Sequence, residues 1–147
     1  MSGLPSETIS WKQIEEENYL GMSNTGILLE DFSLDFLHSL DKGDVRIFDW
    51  YLFSRILLAG KKGKKVEGCS TYYRIHGNNI AGISVVSQER AVKEIDIKIE
   101  HYKRLEEEAP HYGELRQYYE SLKEKKKKLI FEENTGFWWG LIKRERQ

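Results

Sequence analysis

Apolar residues recur at helical spacing along the second half of the chain. The recurring residues are Val92, Ile95, Ile99 and Tyr102. Intervals of three and four place them on one face of a helix. The pattern predicts a helix over residues 88–108, with Ser87 as its N-cap. Pro110 ends this helix, because proline has no backbone N–H to donate.

A second apolar stripe predicts another helix over residues 112–133. Its inward residues are Leu115, Tyr118 or Tyr119, Leu122 and Leu129. Two helices of similar length, joined by a short turn, favour an antiparallel hairpin. We expect this hairpin to pack on the preceding part of the chain or on a second copy of itself.

The first half of the chain has mixed patterns punctuated by glycine. Partial alternation predicts a strand over residues 9–14, and β-forming residues predict another over residues 66–75. Helical spacing predicts helices over residues 32–40 and 48–59, with Gly60 at a C-terminal cap of positive φ. The expected fold class is therefore α/β in the broad sense, a helix-rich α+β chain.

The change of pattern near Ser87 divides the chain into two predicted regions, residues 1–86 and residues 87–147. Charge supports the division. Residues 1–50 hold 10 acidic and 3 basic side chains, a net charge of −7, whereas residues 51–147 hold 14 acidic and 20 basic ones, a net charge of +6. Glutamates interrupt the basic half and spoil a continuous phosphate track, so we expect no nucleic-acid partner.

Length and composition exclude several classes of protein. A chain of 147 residues, 39% hydrophobic and 32% charged, has the size of one ordinary globular domain. Its longest uncharged run, residues 75–88, is too short and polar for a spanning helix, and residues 1–6 show no secretory signal. Cytoplasm is the expected compartment. Cys69 is the single cysteine, which we expect to be a small buried hydrophobe.

Two short sequence segments contain the candidate catalytic and binding residues. Asp49 stands at the front of an apolar helix, where it can accept backbone N–H groups and remain ionised. His76 lies in a turn rich in glycine and asparagine after a predicted strand, where side chains often project into a cleft. One helix and one strand separate them, so the chain can return both residues to the same edge.

Three elements in order resemble a known family. They are residues 18–24, the Asp49-Trp50 pair and the Tyr-Arg-x-His-x-x-Asn string of residues 73–79. Together they resemble the acceptor-side half of a GT-A fold, family 2-like glycosyltransferase, over residues 14–82. The resemblance implies a partial GT-A-like acceptor subdomain, followed here by the C-terminal helical hairpin.

The resemblance also implies roles for individual residues. Asp49 would be the catalytic base, and His76 would bind a Mg²⁺ or Mn²⁺ ion or the donor diphosphate. Arg74 would pair with that diphosphate. Asn18, Asn24 and Trp50 would line the acceptor pocket, although the two asparagines are equally well explained as turn formers beside glycines.

One motif of that family is missing. The sequence contains no Asp-x-Asp, the string that binds the nucleotide and the metal in these enzymes. We therefore expect the donor site, and with it the metal, only in a missing N-terminal half. The chain is then either a piece of a longer enzyme or a degenerate relative. The alternative is a non-catalytic module that binds carbohydrate or a partner, or that oligomerises through its helices.

The C-terminal segment combines lysines with aromatic side chains. Residues 125–128 are four lysines, and residues 137–142 hold the Trp138-Trp139 pair. Basic residues beside tryptophan suit an anionic membrane surface, so peripheral membrane contact is one expectation. In the alternative interpretation, the tryptophan pair caps the hydrophobic core and the lysines are solvated.

Overall fold

The computed structural model describes residues 4–40, 45–72, 87–124, 139–140 and 142–144. Within these ranges the protein is a helix-rich α+β structure, as the sequence predicts. Its α-helices are α1 (Leu34–Ser39), α2 (Phe48–Leu58), α3 (Gln88–Leu105) and α4 (His111–Glu124). Strands β1 (Glu7–Thr8) and β2 (Gly63–Lys64) pair antiparallel, and two 3₁₀ helices cover Trp11–Ile14 and Leu29–Asp31.

Helix α3 begins where the sequence predicts. The Ser87 hydroxyl accepts the backbone N–H of Arg90 at 3.2 Å, which satisfies one of the otherwise unpaired donors of the first turn. The helix ends at Leu105, three residues before the predicted end, and α4 starts directly after Pro110. Pro110 lies five residues after the end of α3, so it does not itself end that helix, but proline is compatible with the start of α4.

Side-chain contacts confirm that α3 and α4 form an antiparallel hairpin. Arg116 Nε donates to Glu106 Oε2 at 2.8 Å near the connection, and Lys123 Nζ donates to Asp96 Oδ1 at 2.6 Å farther from it. Residue numbers thus rise along one helix as they fall along the other. Residues 125–133 of the predicted second helix, with Leu129, lie outside the described residues.

The buried face of α3 is centred one position away from the predicted stripe. Ile95 and Tyr102 are buried and Ile99 is partly buried, as expected. The prediction for Val92 is wrong: it is 44% exposed, and Ala91 is buried in its place. The buried residues of α3 are Ala91, Glu94, Ile95, Ile97, Lys98, His101, Tyr102 and Leu105. Because Glu94 and Lys98 are charged but buried, the pattern of apolar residues did not predict the centre of the buried face correctly.

The predicted strand over residues 9–14 is also wrong. β1 ends at Thr8, and a 3₁₀ helix follows. Ser10 Oγ accepts the N–H of Lys12 at 3.3 Å, and Gln13 Oε1 accepts the N–H groups of Ile9 and Ser10 at 2.8 and 3.1 Å. These local hydrogen bonds form a capping box, which favours the helical turn over a strand.

Residues 66–72 form no strand, contrary to the prediction. β2 lies earlier, at Gly63–Lys64, and a turn with Gly68 at φ +74° interrupts the β-forming run. A positive φ is cheap for glycine and breaks the extended conformation. Cys69 follows this turn and is exposed, so the expectation of a buried cysteine is wrong. Residues 73–75 lie outside the described residues.

The bounds of helix α2 agree with the predicted helix over residues 48–59 to within one residue. Most of its side chains are buried. Its buried residues are Trp50, Tyr51, Leu52, Phe53, Ser54, Arg55 and Leu57. Gly60 follows at φ +76°, the predicted cap conformation. Helix α1 occupies only part of the predicted residues 32–40, and Ser33 caps it by accepting the N–H of Phe36.

Buried Arg55 ties α2 to its neighbours. Its Nη1 donates to the hydroxyl of Tyr51 at 2.8 Å, and its Nη2 donates to Ser39 Oγ at 3.0 Å. Its Nε forms an ion pair with Glu108, which follows α3. One guanidinium therefore holds the end of α1, the middle of α2 and the α3–α4 connection together.

Among the described residues the hydrophobic core forms two clusters, and α2 contributes to both. Tyr51 packs with the α3–α4 hairpin, whereas Trp50, Phe53 and Leu57 pack with the N-terminal segment around Ile14. The core therefore runs across the sequence position near Ser87 where the hydrophobic pattern changes.

A fully buried ammonium group lies between the hairpin and both ends of the chain. Lys98 Nζ donates to the backbone oxygen of Glu16 at 2.7 Å, to the backbone oxygen of Ile142 and to the hydroxyl of Tyr119 at 3.2 Å. Burial lowers its pKa to about 8, and the negative charges of Glu94 and Glu16 oppose that shift. All three N–H donors of the ammonium thus have acceptors.

Two carboxylates complete this Lys98 network. Glu16 Oε1 accepts the hydroxyl of Tyr119 at 2.6 Å and the backbone N–H of Arg144 at 2.8 Å. Glu94 Oε1 accepts the backbone N–H of Ile142 at 2.9 Å. Because buried charges are costly unless paired and hydrogen-bonded, the network requires the N-terminal and C-terminal segments to lie against the hairpin.

The Lys98 network predicts a large effect of removing its cation. Lys98→Met keeps much of the side-chain volume but leaves two buried carboxylates without their cation, so we expect a loss of about 3–5 kcal/mol in the free energy of unfolding. Urea denaturation at neutral pH measures it. Lys123→Met is the matched control, since its pair with Asp96 is exposed and is expected to contribute less than about 1 kcal/mol. Equal effects of the two substitutions would contradict the importance of the buried network.

Candidate functional site

The candidate site is the start of α2, where Asp49 occupies the first turn. Its Oδ1 accepts the backbone N–H of Trp50 at 2.7 Å, so the predicted hydrogen bond to a helix N–H is present. The side chain is half-buried. Burial raises the pKa of Asp49, and the hydrogen bond from Trp50 opposes that shift. The carboxyl is therefore a better proton acceptor than an ordinary aspartate.

Trp50 packs in the core next to this carboxyl. Its indole Nε1 donates to the backbone oxygen of Ile14 at 2.6 Å, and its ring stacks on His101 with centroids 3.9 Å apart and planes 14° apart. The side chain is fully buried, with one ring face on His101, an edge contact with Tyr102 and the N–H bonded inside the protein. The structure thus gives Trp50 the role of anchoring α2, and the side chain predicted to contact an acceptor does not face solvent.

The two predicted acceptor asparagines are turn formers in the structure. Asn18 is buried, and its side chain both donates to Leu20 O at 2.7 Å and accepts the N–H of Leu20 at 3.0 Å. Asn24 Oδ1 accepts the N–H of Gly21 at 2.7 Å. These bonds are those of the alternative interpretation, in which both residues shape the turn. Contact with an acceptor stays a prediction.

The predicted phosphate and metal ligands cannot be placed. Arg74 and His76 lie outside the described residues, so the structure says nothing about their distance from Asp49. Within the part of the chain that is described, no three His, Cys, Asp or Glu side chains are grouped to hold a metal ion. Binding of Mg²⁺ or Mn²⁺ stays a prediction.

His101 on α3 is a site residue that the sequence analysis missed. It is buried, stacks on Trp50, and its Nε2 lies 3.5 Å from Ser54 Oγ, one helical turn along α2. Burial, together with the charge of Lys98, lowers the pKa of His101 to about 3, so the ring is neutral at physiological pH. Two contacts one turn apart fix the rotation of α2 and hence the direction of Asp49.

A shallow groove opens beside the start of α2. Its floor is formed by Ile97 and His101, and its rim carries Arg46, Glu100 and Arg104, with Val45 and Ile47 completing the lining. Glu100 lies between the two arginines: its Oε2 is 3.9 Å from Arg46 Nε, and its Oε1 is 3.5 Å from Arg104 Nη2. The spacing of Glu100 and Arg104 on one helix face is readable in the sequence, but their approach to Arg46 is a tertiary contact.

The described part of the C-terminal segment packs on the protein. Trp139 is partly buried against the second core cluster with φ +65°, and Ile142 is buried. Lys143 pairs with Glu17 at 2.8 Å. For Trp139 this agrees with the interpretation that the tryptophan caps the core. Residues 125–138, which include the lysine run, lie outside the described residues. No helix within the described ranges is long and apolar enough to cross a membrane.

The depressed pKa of His101 predicts a loss of stability in acid. The unfolded chain binds a proton at this histidine below pH 6.5, but the folded protein does not until about pH 3. The free energy of unfolding should therefore be highest above pH 6.5 and should decrease as the pH falls towards 3. The total decrease is about 1.4 kcal/mol for each unit by which the pKa is lowered. Urea denaturation across this pH range measures the loss.

His101→Phe distinguishes the effect of protonating the histidine from the effect of its ring packing. The substitution keeps a ring against Trp50 and should flatten the acid limb of the stability profile. His38→Phe makes the same change at an exposed histidine and should leave the limb unchanged. An acid limb that survives in His101→Phe would show that other groups cause it.

Comparison of the chain with protein-family models, with curated protein sequences and with solved structures finds no match.

Proposed function

We propose that the chain is the acceptor-side part of an inverting glycosyltransferase. In this proposal, a sugar passes from a nucleotide-sugar donor to a hydroxyl group of a glycan or of a lipid-linked acceptor. The observation that supports it most is the state of Asp49: a half-buried carboxylate with a raised pKa, held at the start of a helix that the core anchors on both sides.

Asp49 supplies what the reaction needs from the acceptor side. A sugar hydroxyl is a poor nucleophile until a base takes its proton. As the hydroxyl oxygen forms a bond to the anomeric carbon, its proton moves to the Asp49 carboxylate. The bond from the anomeric carbon to the diphosphate oxygen breaks, and the diphosphate leaves with that electron pair. Attack opposite to the leaving group inverts the anomeric centre.

The donor side involves residues that the structure does not describe. We propose that Arg74 pairs with the diphosphate and that His76 takes part in holding a Mg²⁺ or Mn²⁺ ion. When bound, that ion neutralises charge on the leaving diphosphate. Because the sequence has no Asp-x-Asp, we assign most of the nucleotide site to residues beyond these 147.

The finer description of the fold is part of the same proposal. We propose that residues 1–86 form a GT-A-like acceptor subdomain and that the α3–α4 hairpin buttresses it. Contacts of His101 with Trp50 and Ser54 support this arrangement, because the hairpin then holds the helix that carries the base. We further propose a cytoplasmic enzyme with peripheral membrane contact through the basic C-terminal segment.

A second candidate function is binding of carbohydrate without catalysis. The missing Asp-x-Asp favours it, since the sequence lacks the string that binds the nucleotide and the metal in the transferases it resembles. Such a module would bind a glycan with no role for the carboxylate and no need for a metal.

Substitution of Asp49 tests the proposal. Screening the 147-residue chain on a glycan array identifies a saccharide that binds, and calorimetry then gives its Kd. Asp49→Ala removes a hydrogen bond to a charged acceptor, so we expect affinity to fall by about tenfold or more. In transfer assays with the donor-binding region supplied, Asp49→Asn should lower kcat by roughly 10²-fold or more.

Asp35→Ala is the matched control, because Asp35 is exposed in the first turn of α1. It should bind and transfer like the parent chain, and thermal melting checks that both variants fold. Glycan affinity that is equal in Asp49→Ala and the parent would overturn the base assignment and favour the non-catalytic module. Failure of every glycan to bind would overturn both candidate functions.

A further inference from the structure

We propose that residues 28–34 form a docking surface for a cationic amphipathic helix of a partner protein. The surface, called here the acidic leucine surface, consists of Leu28, Leu29, Glu30, Asp31 and Leu34. It goes beyond the proposed transferase activity, because none of these five residues is assigned a role in the transfer.

The three leucines of this surface lie in solvent. Their exposed fractions are 68% for Leu28, 63% for Leu29 and 72% for Leu34. A single exposed leucine is ordinary on a protein surface, but a group of large exposed apolar side chains is typical of an interaction site. A partner that covers these leucines removes apolar surface from water, which the fold of the chain itself does not do.

The aromatic side chains of the same segment attach it to α2. Phe32 and Phe36 are partly buried and stack with their ring centroids 5.0 Å apart. The Lys61 ammonium lies 5.5 Å from the ring centroid of Phe32, and the Arg55 guanidinium lies 5.6 Å from that of Phe36. Leu34 is two positions before Phe36 in α1, so the two side chains point to nearly opposite sides of that helix. The rings therefore face α2, and the leucines stay outside.

A 3₁₀ turn keeps the leucines close to one another. The backbone N–H of Phe32 donates to the backbone oxygen of Leu29 at 3.1 Å. These two Cα atoms are therefore about 6 Å apart, and the two residues from Phe32 to Leu34 add at most about 7 Å. Two turns of an α-helix rise about 11 Å. A helix that lies across the surface can therefore contact both Leu29 and Leu34 with apolar side chains two turns apart.

The charge of the surface decides which kind of partner it fits. Glu30 and Asp31 are exposed between the leucines, and residues 22–40 hold 3 acidic side chains and no lysine or arginine. Such a surface repels an anionic membrane and a nucleic acid. Two copies of the chain that met through this same surface would place like charges opposite each other. A protein helix with lysines or arginines beside an apolar stripe complements both the leucines and the carboxylates.

Binding of a synthetic peptide to the full chain tests the proposal. The probe is a fluorescein-labelled leucine–lysine peptide whose leucines recur at intervals of three and four, so that its helix has one apolar and one basic face. We expect it to bind, with an affinity that falls as salt is added. Leu29→Ser combined with Leu34→Ser should raise the Kd by about tenfold or more. Glu30→Gln combined with Asp31→Asn should raise it by about threefold or more. Fluorescence anisotropy measures each Kd.

Matched variants make the same kinds of change elsewhere on the protein. Val66→Ser combined with Val92→Ser removes two apolar side chains that are 70% and 44% exposed. Glu107→Gln combined with Glu124→Gln removes two exposed carboxylates. Both control variants should bind the peptide with the Kd of the parent chain, and thermal melting shows whether every variant folds.

Four results would overturn the proposal. The peptide does not bind, or it binds the parent chain and the Leu29→Ser, Leu34→Ser variant equally, in which case charge alone attracts it. A leucine–glutamate peptide with the same spacing binds as tightly, in which case the carboxylates of the surface select nothing. Sedimentation shows that the parent chain self-associates and that the two leucine substitutions abolish it, in which case the occupant is a second copy.

Discussion

A fully buried ammonium group requires an acceptor for each of its three N–H donors, and this requirement determines how the chain closes. Lys98 finds its acceptors on the N-terminal segment, on α4 and on the C-terminal segment, at Glu16, Tyr119 and Ile142. None of these partners is near Lys98 in sequence. A buried polar group that is left unpaired destabilises a protein by more than one paired contact stabilises it. The Lys98 side chain therefore holds the three parts of the chain together.

The same hairpin carries the neutral ring that holds the candidate site. His101 lies one turn along α3 from Lys98, and the positive charge of the lysine helps to keep the histidine unprotonated. The uncharged ring can then stack on Trp50 in the core without a desolvated charge of its own. The Lys98 network and the orientation of Asp49 are thus electrostatically linked through α3.

Local signals predicted the helices well and the strands poorly. Ser87 and Gly60 are capping residues whose effect depends on a few neighbours, so the helix bounds that depend on them agree with the structure to within one residue. The end of α3, predicted from Pro110, lies three residues earlier than expected. The β-forming residues of the first half proved ambiguous, because the capping box at Ser10 and the turn at Gly68 override a partial alternation. A strand also needs a partner, and pairing is not a local property.

The sequence by itself determined the helical hairpin, the apolar helix α2 and the place of Asp49 in its first turn. Tertiary structure decided which side chains share an environment. It put Lys98 inside the core, stacked His101 on Trp50, and brought Arg46 to the rim formed by α3. The physical reason is that helix formation depends on neighbours within a turn, whereas burial, pKa shifts and groove formation depend on residues far apart along the chain.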